Sequence, residues 1–412
     1  MSQVSAVGHV FSTEDYENAP LFYARSLEKA KIEVGHALCL CTKPNPHLVV
    51  RRVGSKSGDR FFLATWPNKG TEHAPSCRFY HSEDEYELDR AKRLAAIMLN
   101  EHGFSIKPDF TLKRTIAEAK KPASREPNET QHPRTQRDTM GLLGTLEYLW
   151  QTAGLNQWQH SSLPGNPARW TNLVTRLTSV LAQGLLGKQS LLDITYVVPA
   201  FEVAKQDEIS AHFGAIVDRH KKTAEVSPSF LVIGEVKTVE STAKSVRVHL
   251  RHHPRALYMF PSLGNAIAAR YPIAEALLNN PDGRDCRVIG LFLVDVTDKG
   301  NLWVRDAALM ACSREYIPCD SSHEIRLANQ LTNARRAFVK PLRLEYTDDL
   351  LPDFKLMDAH KPISMEVWGM NTPEYNAHRD EKINRYRARG EALWEWEAWR
   401  TSNIPVIPLK SS

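Results

Sequence analysis

The sequence is poor in the features that would place it in a membrane or outside the cell. No stretch approaches the roughly 18 consecutive apolar residues that a membrane-spanning helix needs. The first residues, MSQVSAVGHVFSTEDYENAP, lack the basic and apolar segments of a secretory signal. Cysteine is sparse, with six in 412 residues, which argues against a disulfide scaffold. We therefore expect a cytoplasmic protein that does not contact a membrane.

The chain also lacks a strong charge of one sign. Its 53 lysines and arginines exceed its 48 aspartates and glutamates by five, and the pI is about 8.8. This mildly basic balance permits a polyanionic partner but does not demand one. A G-x-x-x-x-G-K-[ST] loop for nucleoside triphosphates is missing from the sequence, so coupling to a motor would need another chain.

A polar segment divides the chain into parts. The stretch KPASREPNETQHPRTQRD is almost free of apolar residues, so it cannot bury enough surface to offset the entropy of ordering it. The length has room for two or three domains. We predict a multidomain α+β or α/β fold with an N-terminal region 1–105, a flexible linker 106–139, a central α+β domain 140–315 and a C-terminal α/β domain 320–412.

Apolar periodicity and turn residues predict several local elements. The β-rich runs His47–Val53 and Arg60–Trp66 flank a turn with two glycines and an aspartate, which indicates a hairpin. We expect a helix from Glu83 to about Leu99. At the end of the chain we expect a tryptophan-rich helix after Gly390, and then a final strand, Ile404–Pro408.

Four potential metal ligands occur in two close pairs near the N-terminus. Cys39 and Cys41 form a C-x-C pair, and after 31 intervening residues His73 and Cys77 follow as H-x-x-x-C. Thiolates and imidazole suit tetrahedral zinc, and a bound ion can stabilise a module with little core of its own. The arrangement resembles short zinc-binding nucleic-acid modules, so we predict a zinc-binding β-hairpin module over residues 34–81.

This set of ligands has alternatives. His36 and His81 could replace one of the ligands, and the four residues could also be two buried cysteines beside an unrelated pair. The remaining cysteines are interpreted as core or strand residues: Cys286, Cys312 and Cys319.

The C-terminal segment carries carboxylates on consecutive elements. Glu324 falls in the first turn of a helix that Ser322 can cap, Asp353 enters a strand, and Glu366 lies on the next apolar strand. Two carboxylates on adjacent strands can meet at one sheet edge and hold Mg²⁺ or Mn²⁺, which prefer oxygen ligands. Such an ion neutralises a phosphate and lowers the pKa of an attacking water, as phosphodiester hydrolysis requires. Glu324 can add a ligand to the ion or to its waters.

A basic helix follows these acids. Tyr375, Arg379, Lys382 and Tyr386 recur at spacings of four, three and four, so they fall near one helix face. Lys382 can position the water or stabilise the charge that develops on phosphate. Arg379 and Arg385 are close enough to the proposed site to suit contacts with the backbone of a nucleic acid.

The order of helix acid, strand acid, second strand acid and basic helix resembles the PD-(D/E)XK nuclease superfamily, which includes restriction and repair endonucleases. The resemblance covers about residues 320–410 and implies a restriction-endonuclease-like α/β core. It implies that Glu324 is the helix acid, Asp353 the motif aspartate and Glu366 the second-strand acid.

The sequence departs from the usual pattern of this superfamily at one position. Two residues after Glu366, where lysine is usual, stands Trp368. Some members carry the lysine on the following helix instead, and Lys382 is the candidate for that role here. The resemblance therefore implies Glu324, Asp353, Glu366 and Lys382 as catalytic residues, with Mg²⁺ or Mn²⁺ held by Asp353 and Glu366.

A second strand carries a literal E-x-K. The apolar run Phe230–Val236 contains Glu235 and is followed by Lys237. Upstream acids could serve as its partner: Asp193, Asp207 and Asp218. None of these acids stands in a Pro-Asp strand context, so we interpret Glu235 and Lys237 as the polar face of a strand end.

A basic run at 244–255 is interleaved with valine and leucine in the alternation of a strand. One face of this strand, with Arg247 and Arg251, could line a phosphate-binding groove. A solvated strand face explains the same pattern equally well.

From its C-x-C…H-x-x-x-C start to its PDF…EVWG end, the chain resembles an uncharacterised bacterial family whose members have roughly this size and often occur near mobile genetic elements. We expect a metal-dependent nuclease that hydrolyses the phosphodiester bonds of nucleic acid, DNA foremost, in a mobile-element, defence or repair context. Two alternatives stay open. One is a non-catalytic DNA-binding protein with a degenerate nuclease fold, and the other is a component of a conjugation or defence system that binds a protein partner encoded nearby.

Overall fold

The computed structural model describes residues 3–18, 20–53, 60–65, 70–80, 95–101, 103–115, 139–159, 170–222, 226–242, 244–279, 285–342 and 350–411. The chain divides into two compact units, Met1–Lys92 and Arg93–Ser412. Several predicted features lie outside the described residues: His81, the turn at 54–59, the start of the helix at Glu83, and residues 116–138 of the linker. The division into four segments stays a prediction.

The first unit contains an antiparallel sheet. Its strands are β1 (Gln3–Ala6), β2 (His9–Ser12), β3 (Ala37–Cys39), β4 (His47–Val53) and β5 (Arg60–Thr65). Its helical segments are α1 (Thr13–Asn18), α2 (Pro20–Lys29), a π-helical turn (Ala30–Val34) and a 3₁₀ turn (Gly70–Glu72). The strand order is β2-β1-β3-β4-β5, and β4 with β5 forms the predicted hairpin. The core of this unit includes Phe11, Leu27 and Phe61.

The second unit is a mixture of helices and strands. Its strands are β6 (Ile97–Asn100), β7 (Gly103–Ile106), β8 (Lys113–Thr115), β9 (Gln157–Trp158), β10 (Gly184–Leu186), β11 (Gln189–Ser190), β12 (Thr195–Val197), β13 (Val226–Ser241), β14 (Val246–Leu250), β15 (Leu257–Met259), β16 (Cys286–Val296), β17 (Leu302–Ser313), β18 (Phe338–Val339), β19 (Phe354–Leu356), β20 (Ile363–Trp368) and β21 (Leu393–Glu397). Its helices are α3 (Leu142–Thr152), α4 (Trp170–Leu181), α5 (Leu191–Ile194), α6 (Gln206–Arg219), α7 (Pro261–Arg270), α8 (Pro272–Leu278), α9 (Ser322–Asn333) and α10 (Pro373–Ala388), with a 3₁₀ turn at Val203–Lys205. Within the described ranges, no helix has the length and apolar character to cross a membrane.

The helix predicted to run to about Leu99 is wrong at its end. Residues Ile97–Asn100 form β6, which pairs antiparallel with β7 across a short turn. Gly103 closes this turn at φ +144°, where a side chain would collide with the carbonyl of Gln183. β7 then pairs with the distant β10. This pairing with residues far along the chain decides the strand, and local propensity does not reveal it.

Five strands of the second unit pair in a closed ring. β13 pairs with β14, β14 with β15, β15 with β17, β17 with β16, and β16 with β13. On β14 and β15 buried side chains alternate with outward ones, as the period of a strand requires, whereas β13 and β16 are buried along most of their length. On β14, for example, Val246, Val248 and Leu250 join a buried core while Arg247 is exposed. The ring therefore has a filled interior and a separate outer face.

The C-terminal part has the order helix, three strands, helix, strand. β18, β19 and β20 pair antiparallel in sequence, and the chain then returns through α10 to place β21 parallel to β20. α9 packs on the sheet face that carries Met365 and Val367. α10 lies over the opposite face, where Tyr386 contacts Glu366. Two helices thus enclose the sheet.

The prediction of a tryptophan-rich helix and a final strand is wrong. The tryptophans Trp394 and Trp396 lie on β21, where they are buried while Glu395 between them is exposed. This alternation has the period of a strand, and β21 gains its pairing only because α10 returns the chain beside β20. Residues 404–408 contain no strand.

The C-terminal sheet includes a strand from far upstream. β9 pairs antiparallel with β18, so that the sheet order is β21-β20-β19-β18-β9. The Trp150 indole N–H also donates to the Tyr316 carbonyl at 3.0 Å. The region predicted as a central domain and the region predicted as a C-terminal domain are therefore joined by backbone pairing.

Candidate functional site

Cys39, Cys41, His73 and Cys77 come together in the first unit. Cys39 ends β3, and His73 follows the 3₁₀ turn at Gly70–Glu72. The sulfur of Cys39 lies 3.6 Å from that of Cys77, and the Cys41 sulfur lies 3.3 Å from Nδ1 of His73. The four potential ligand atoms all lie within 4.8 Å of one another. This group could hold a metal ion such as zinc, whose preferred ligands these are.

The surroundings of the sulfurs also suit a cation. The backbone N–H groups of Ala74 and Phe79 donate to the sulfurs of Cys41 and Cys77, at 3.4 and 3.5 Å. Such bonds favour thiolate over thiol. Burial raises the pKa of the Cys39 thiol well above its usual range. A metal ion beside this sulfur would supply the positive charge that a buried thiolate needs.

The other cysteines and His36 do not join this group. The His36 ring stacks on His47, with ring centroids 3.9 Å apart. Cys286 lies on β16 and Cys312 on β17, and Cys319 is buried. Among the described residues, no second group of three His, Cys, Asp or Glu ligands falls within the same 4.8 Å.

A cluster of carboxylates and lysines occupies the C-terminal sheet and its helices. Asp353 immediately precedes β19, and because Phe354 pairs with Met365, Asp353 stands opposite Glu366 on β20. The Val367 N–H donates to Oδ2 of Asp353 at 2.7 Å. The register of β19 and β20 therefore places the two acids opposite each other, as expected for acids on adjacent strands.

α10 brings two side chains to Glu366, which is only 2% exposed. Lys382 Nζ lies 2.7 Å from Oε1 of Glu366 and also donates to the Leu351 carbonyl at 2.8 Å. The Tyr386 hydroxyl donates to the same Oε1 at 2.6 Å. Lys382 Nζ lies 6.0 Å from the centroid of the Trp368 ring. Lys382 of α10 therefore reaches Glu366. It lies near Trp368, which occupies the position where the superfamily usually has lysine.

Glu324 contacts a lysine that the sequence analysis missed. Lys340 follows β18, is 3% exposed, and donates to Oε2 of Glu324 at 2.6 Å. Its ammonium also lies 3.1 Å from Oδ2 of Asp320. The cap of α9 is Ser321 rather than Ser322, because the Ser321 hydroxyl accepts the Glu324 N–H at 3.1 Å. The available signal for Lys340 was a single cation inside the apolar run AFVKPL.

Burial raises the pKa values of the three acids, and like charge adds to the shift at Glu324 and Asp353. Burial raises the pKa of Glu324 to about 7, with Lys340 opposing the shift and Asp353 adding to it. Burial raises the pKa of Asp353 to about 6, and the charge of Glu366 adds to this shift. Burial also raises the pKa of Glu366, against the effect of Lys382. These mutual effects place the three acids in one electrostatic group.

The group has more negative than positive charge. Four carboxylates, with Asp320 included, face two ammonium groups when all are ionised, and an uncompensated charge in a buried site is costly. Asp353 Oδ1 and Glu366 Oε2 accept no hydrogen bond from the described residues, so each acid keeps one oxygen available. Hard carboxylate oxygens in a site with excess negative charge fit Mg²⁺ or Mn²⁺. A cleft of about 170 Å³ is lined in part by Asp320, Pro341 and Leu351, and none of the three buried acids lines it.

The arginines predicted to contact nucleic acid have different surroundings. Arg247 is exposed on β14. Arg251 Nε donates to Glu235 at 2.7 Å. Arg379 Nη1 lies 3.1 Å from Glu397, and Arg385 lies in the last turn of α10.

Glu235 does not lie on a polar strand face, and that prediction is wrong. The residue is 2% exposed, because β13 is flanked by β12 and β16 and both of its faces are covered. Its carboxylate accepts from Arg251 and from the Tyr316 hydroxyl at 2.9 Å, and Arg287 lies 3.5 Å away. Glu235 is therefore a structural group that joins β13 to its neighbours, whereas Lys237 is exposed. The upstream acids Asp193 and Asp218 pair with Arg219 and Lys221 instead.

Comparison with protein families covers almost the whole chain. Residues 11–399 match the model of the family described as "Protein of unknown function (DUF1173)". The chain belongs to this family, which confirms that it is a member of an uncharacterised family. No curated protein matches the sequence.

Proposed function

We propose that this protein is a metal-dependent nuclease of the PD-(D/E)XK type that hydrolyses phosphodiester bonds of nucleic acid, DNA foremost. The observation that carries the proposal is that Glu366 and Lys382 meet on the sheet face under α10, with Asp353 opposite Glu366 in the register of the two strands. The acids and the lysine come from the elements that the resemblance to this superfamily implies. Glu324 on α9 is electrostatically coupled to Asp353 and completes the set.

Asp353 and Glu366 are the residues that would hold Mg²⁺ or Mn²⁺, each with one oxygen that accepts no hydrogen bond from the described residues. When bound, the ion supplies positive charge for the phosphate and lowers the pKa of the attacking water. Tyr386 and Lys382 fix Oε1 of Glu366, which orients the other oxygen of that carboxylate. The Lys382 ammonium stabilises the charge that develops on the phosphate. Lys340 holds Glu324 in place on the α9 side.

For the first unit, we propose that Cys39, Cys41, His73 and Cys77 bind zinc and that this module contributes to nucleic-acid binding. For the whole protein, we propose work in the cytoplasm in a mobile-element, defence or repair context, with a protein partner encoded nearby. These proposals rest on the ligand chemistry of the module and on the resemblance of the two ends of the chain to a family that occurs near mobile elements.

A second candidate function is binding of DNA without cleavage. It is favoured by the direct contacts of Lys340 with Glu324 and of Lys382 with Glu366, because ammonium groups already neutralise two of the three acids. A degenerate nuclease fold that grips DNA would keep such ion pairs and would have no need of a metal ion.

The test is cleavage of plasmid and single-stranded DNA by purified protein in Mg²⁺ or Mn²⁺. Glu366→Gln should abolish cutting while leaving the fold intact, because glutamine keeps the shape and removes the charge. Glu395→Gln is the matched control, since Glu395 pairs with Glu366 across β20 and β21 but is exposed. Equal cutting by wild type and Glu366→Gln would place the activity elsewhere or in a contaminant. No cutting by the wild type, with DNA binding intact, would favour the non-catalytic candidate.

A further inference from the structure

The outer face of the closed ring carries a row of side chains from three neighbouring strands. Arg247 on β14 pairs in register with Tyr258 on β15, and Tyr258 pairs with Trp303 on β17. The residues on either side of each of these three belong to the buried core of the ring. Because successive side chains of a strand point to opposite faces, all three project outward.

The aromatic rings of this row are close together; Tyr258 and Trp303 are half-buried, and the adjacent Phe260 is exposed. The planes of Tyr258 and Trp303 are within 10° of parallel, with ring centroids 6.5 Å apart. Phe260 meets the Trp303 ring edge to face at 4.8 Å and is 59% exposed. Large apolar groups grouped on a surface, rather than scattered singly, indicate a binding site.

The charges around the rings favour an anionic ligand. Positive side chains on β14 and in the adjoining turns outnumber the acids near them. The positive residues are Lys244, Arg247, Arg255 and Lys299, and the acids are Asp298 and Glu240, which stands opposite Arg247 in the register of β13 and β14. A further acid on the outer face, Asp295, is neutralised by Arg305 at 3.8 Å. The face therefore combines aromatic rings with a net positive border.

We infer that this outer face binds single-stranded nucleic acid, with bases stacked on Tyr258 and Trp303 and a phosphate at Arg247. Every base offers a π-face, so aromatic platforms beside cations bind single strands with little sequence preference. The 6.5 Å between ring centroids is about twice the ~3.4 Å rise per nucleotide of one strand in a duplex. Successive bases reach both rings only when the strand is extended, and in a duplex the base faces are covered by their neighbours.

This inference is independent of the nuclease, because it concerns binding at a different place in the second unit. Full-length protein is titrated with a fluorescein-labelled 20-nucleotide oligothymidylate, without added Mg²⁺ or Mn²⁺ and without a chelator. Fluorescence anisotropy then reports affinity alone. Trp303→Ala and Tyr258→Ala should each weaken binding by about tenfold, while Trp303→Phe should keep most of the affinity because it keeps a ring.

The control is Phe201→Ala, which removes an exposed aromatic residue, 53% accessible, outside this row. It should leave the affinity within about twofold. Arg247→Gln should reduce the slope of log affinity against log salt concentration by about 0.7, the contribution of one single-strand phosphate. A duplex of the same length should bind more weakly and be insensitive to Trp303→Ala.

The outcomes separate the inference from its competitors. Absence of oligothymidylate binding by the wild type, or equal affinity before and after Trp303→Ala, overturns it and leaves the face to a protein partner or to another part of this chain. Loss of binding in both Trp303→Ala and Phe201→Ala with a lowered melting temperature would indicate general unfolding. In that case Trp303→Phe, which keeps a ring and most of the packing, tests the inference. Weak binding by a stably folded Trp303→Phe also overturns it.

Discussion

Lys340 and Glu324 form an ion pair that is almost completely withdrawn from water. We predict that Lys340→Met lowers the free energy of unfolding by about 3–5 kcal/mol, because it leaves a carboxylate buried without its cation. Guanidinium chloride unfolding of the purified variant measures the loss. The double variant Lys340→Met with Glu324→Gln should recover most of it. A single variant that unfolds at the wild-type midpoint would contradict the prediction.

The pKa of Asp358 is lowered, in contrast to the raised pKa values of Glu324, Asp353 and Glu366. Burial alone would raise the pKa of this carboxyl, but hydrogen bonds from Arg336 and from the Ala337 N–H outweigh it and lower the pKa. Arg336 contacts both oxygens, at 2.8 to 3.1 Å, and also donates to the Pro408 carbonyl. Because Arg336 bonds both Asp358 and the Pro408 carbonyl, the charge of Asp358 helps to hold the C-terminal residues in place.

This balance predicts a component of acid sensitivity. A depressed folded-state pKa contributes stability that is present above the unfolded value of about 3.9 and is lost as pH falls through the folded value. Asp358→Asn should cost about 2 kcal/mol at pH 7, and its deficit relative to wild type should shrink below about pH 4. Urea unfolding of both proteins at pH 7, 5, 4 and 3 measures the difference. A deficit that stays constant with pH would show that the carboxylate charge is not responsible.

At the scale of single residues, the sequence singles out candidate residues where their chemistry agrees with their order along the chain. Asp353, Glu366 and Lys382 could be singled out because acids and a basic helix recur in a recognisable order. Lys340 could not, because its role depends on a contact between β18 and α9 that no spacing reveals. Glu235 was misjudged for the same reason, since its strand has neighbours on both sides that come from distant parts of the chain.

At the scale of elements, β9 is held against β18 by Asn156. The Asn156 side-chain amide donates to the Lys340 carbonyl at 2.9 Å, and the Lys340 N–H donates back to the Asn156 carbonyl at 2.8 Å. Asn156→Ala should cost about 1–3 kcal/mol, because the Lys340 carbonyl loses its partner inside the protein. Thermal or urea unfolding measures this cost. Asn384→Ala, at an exposed position on α10, should stay within about 0.5 kcal/mol of wild type.

The elements that were predicted correctly have local signals, and those that were missed do not. The hairpin of β4 and β5 follows from two β-rich runs around a glycine turn. The strands β6 and β21 were taken for helices because they are short and their sheets are completed by distant segments. β7, the partner of β6, pairs with β10, and β21 pairs with β20 only after α10 returns the chain. In β21 the alternation of Trp394, Glu395 and Trp396 is a period of two, which a reading based on tryptophan content alone overlooks.

At the scale of the whole molecule, the two units should respond differently to loss of metal. We predict about one zinc ion per chain in the purified protein, measured by elemental analysis. Cys41→Ser should lose the zinc, because it removes one of four ligands, whereas Cys286→Ser, outside the group, should keep it. Chelation should melt the Met1–Lys92 unit and leave a thermal transition of the larger unit, since binding energy of structural zinc is folding energy. A full metal content in Cys41→Ser would contradict the ligand assignment.

The pairing of β9 with β18 has a consequence for how this protein is made. The two bonded residues, Asn156 and Lys340, are 184 positions apart. At a synthesis rate of about 5–20 residues per second, β9 leaves the ribosome roughly 10 to 40 seconds before its partner strand. During that interval the backbone N–H and C=O groups of β9 that pair with β18 have no native partner. Translation itself therefore imposes a waiting period in which the earlier elements must fold, or be shielded, before the proposed catalytic sheet can be completed.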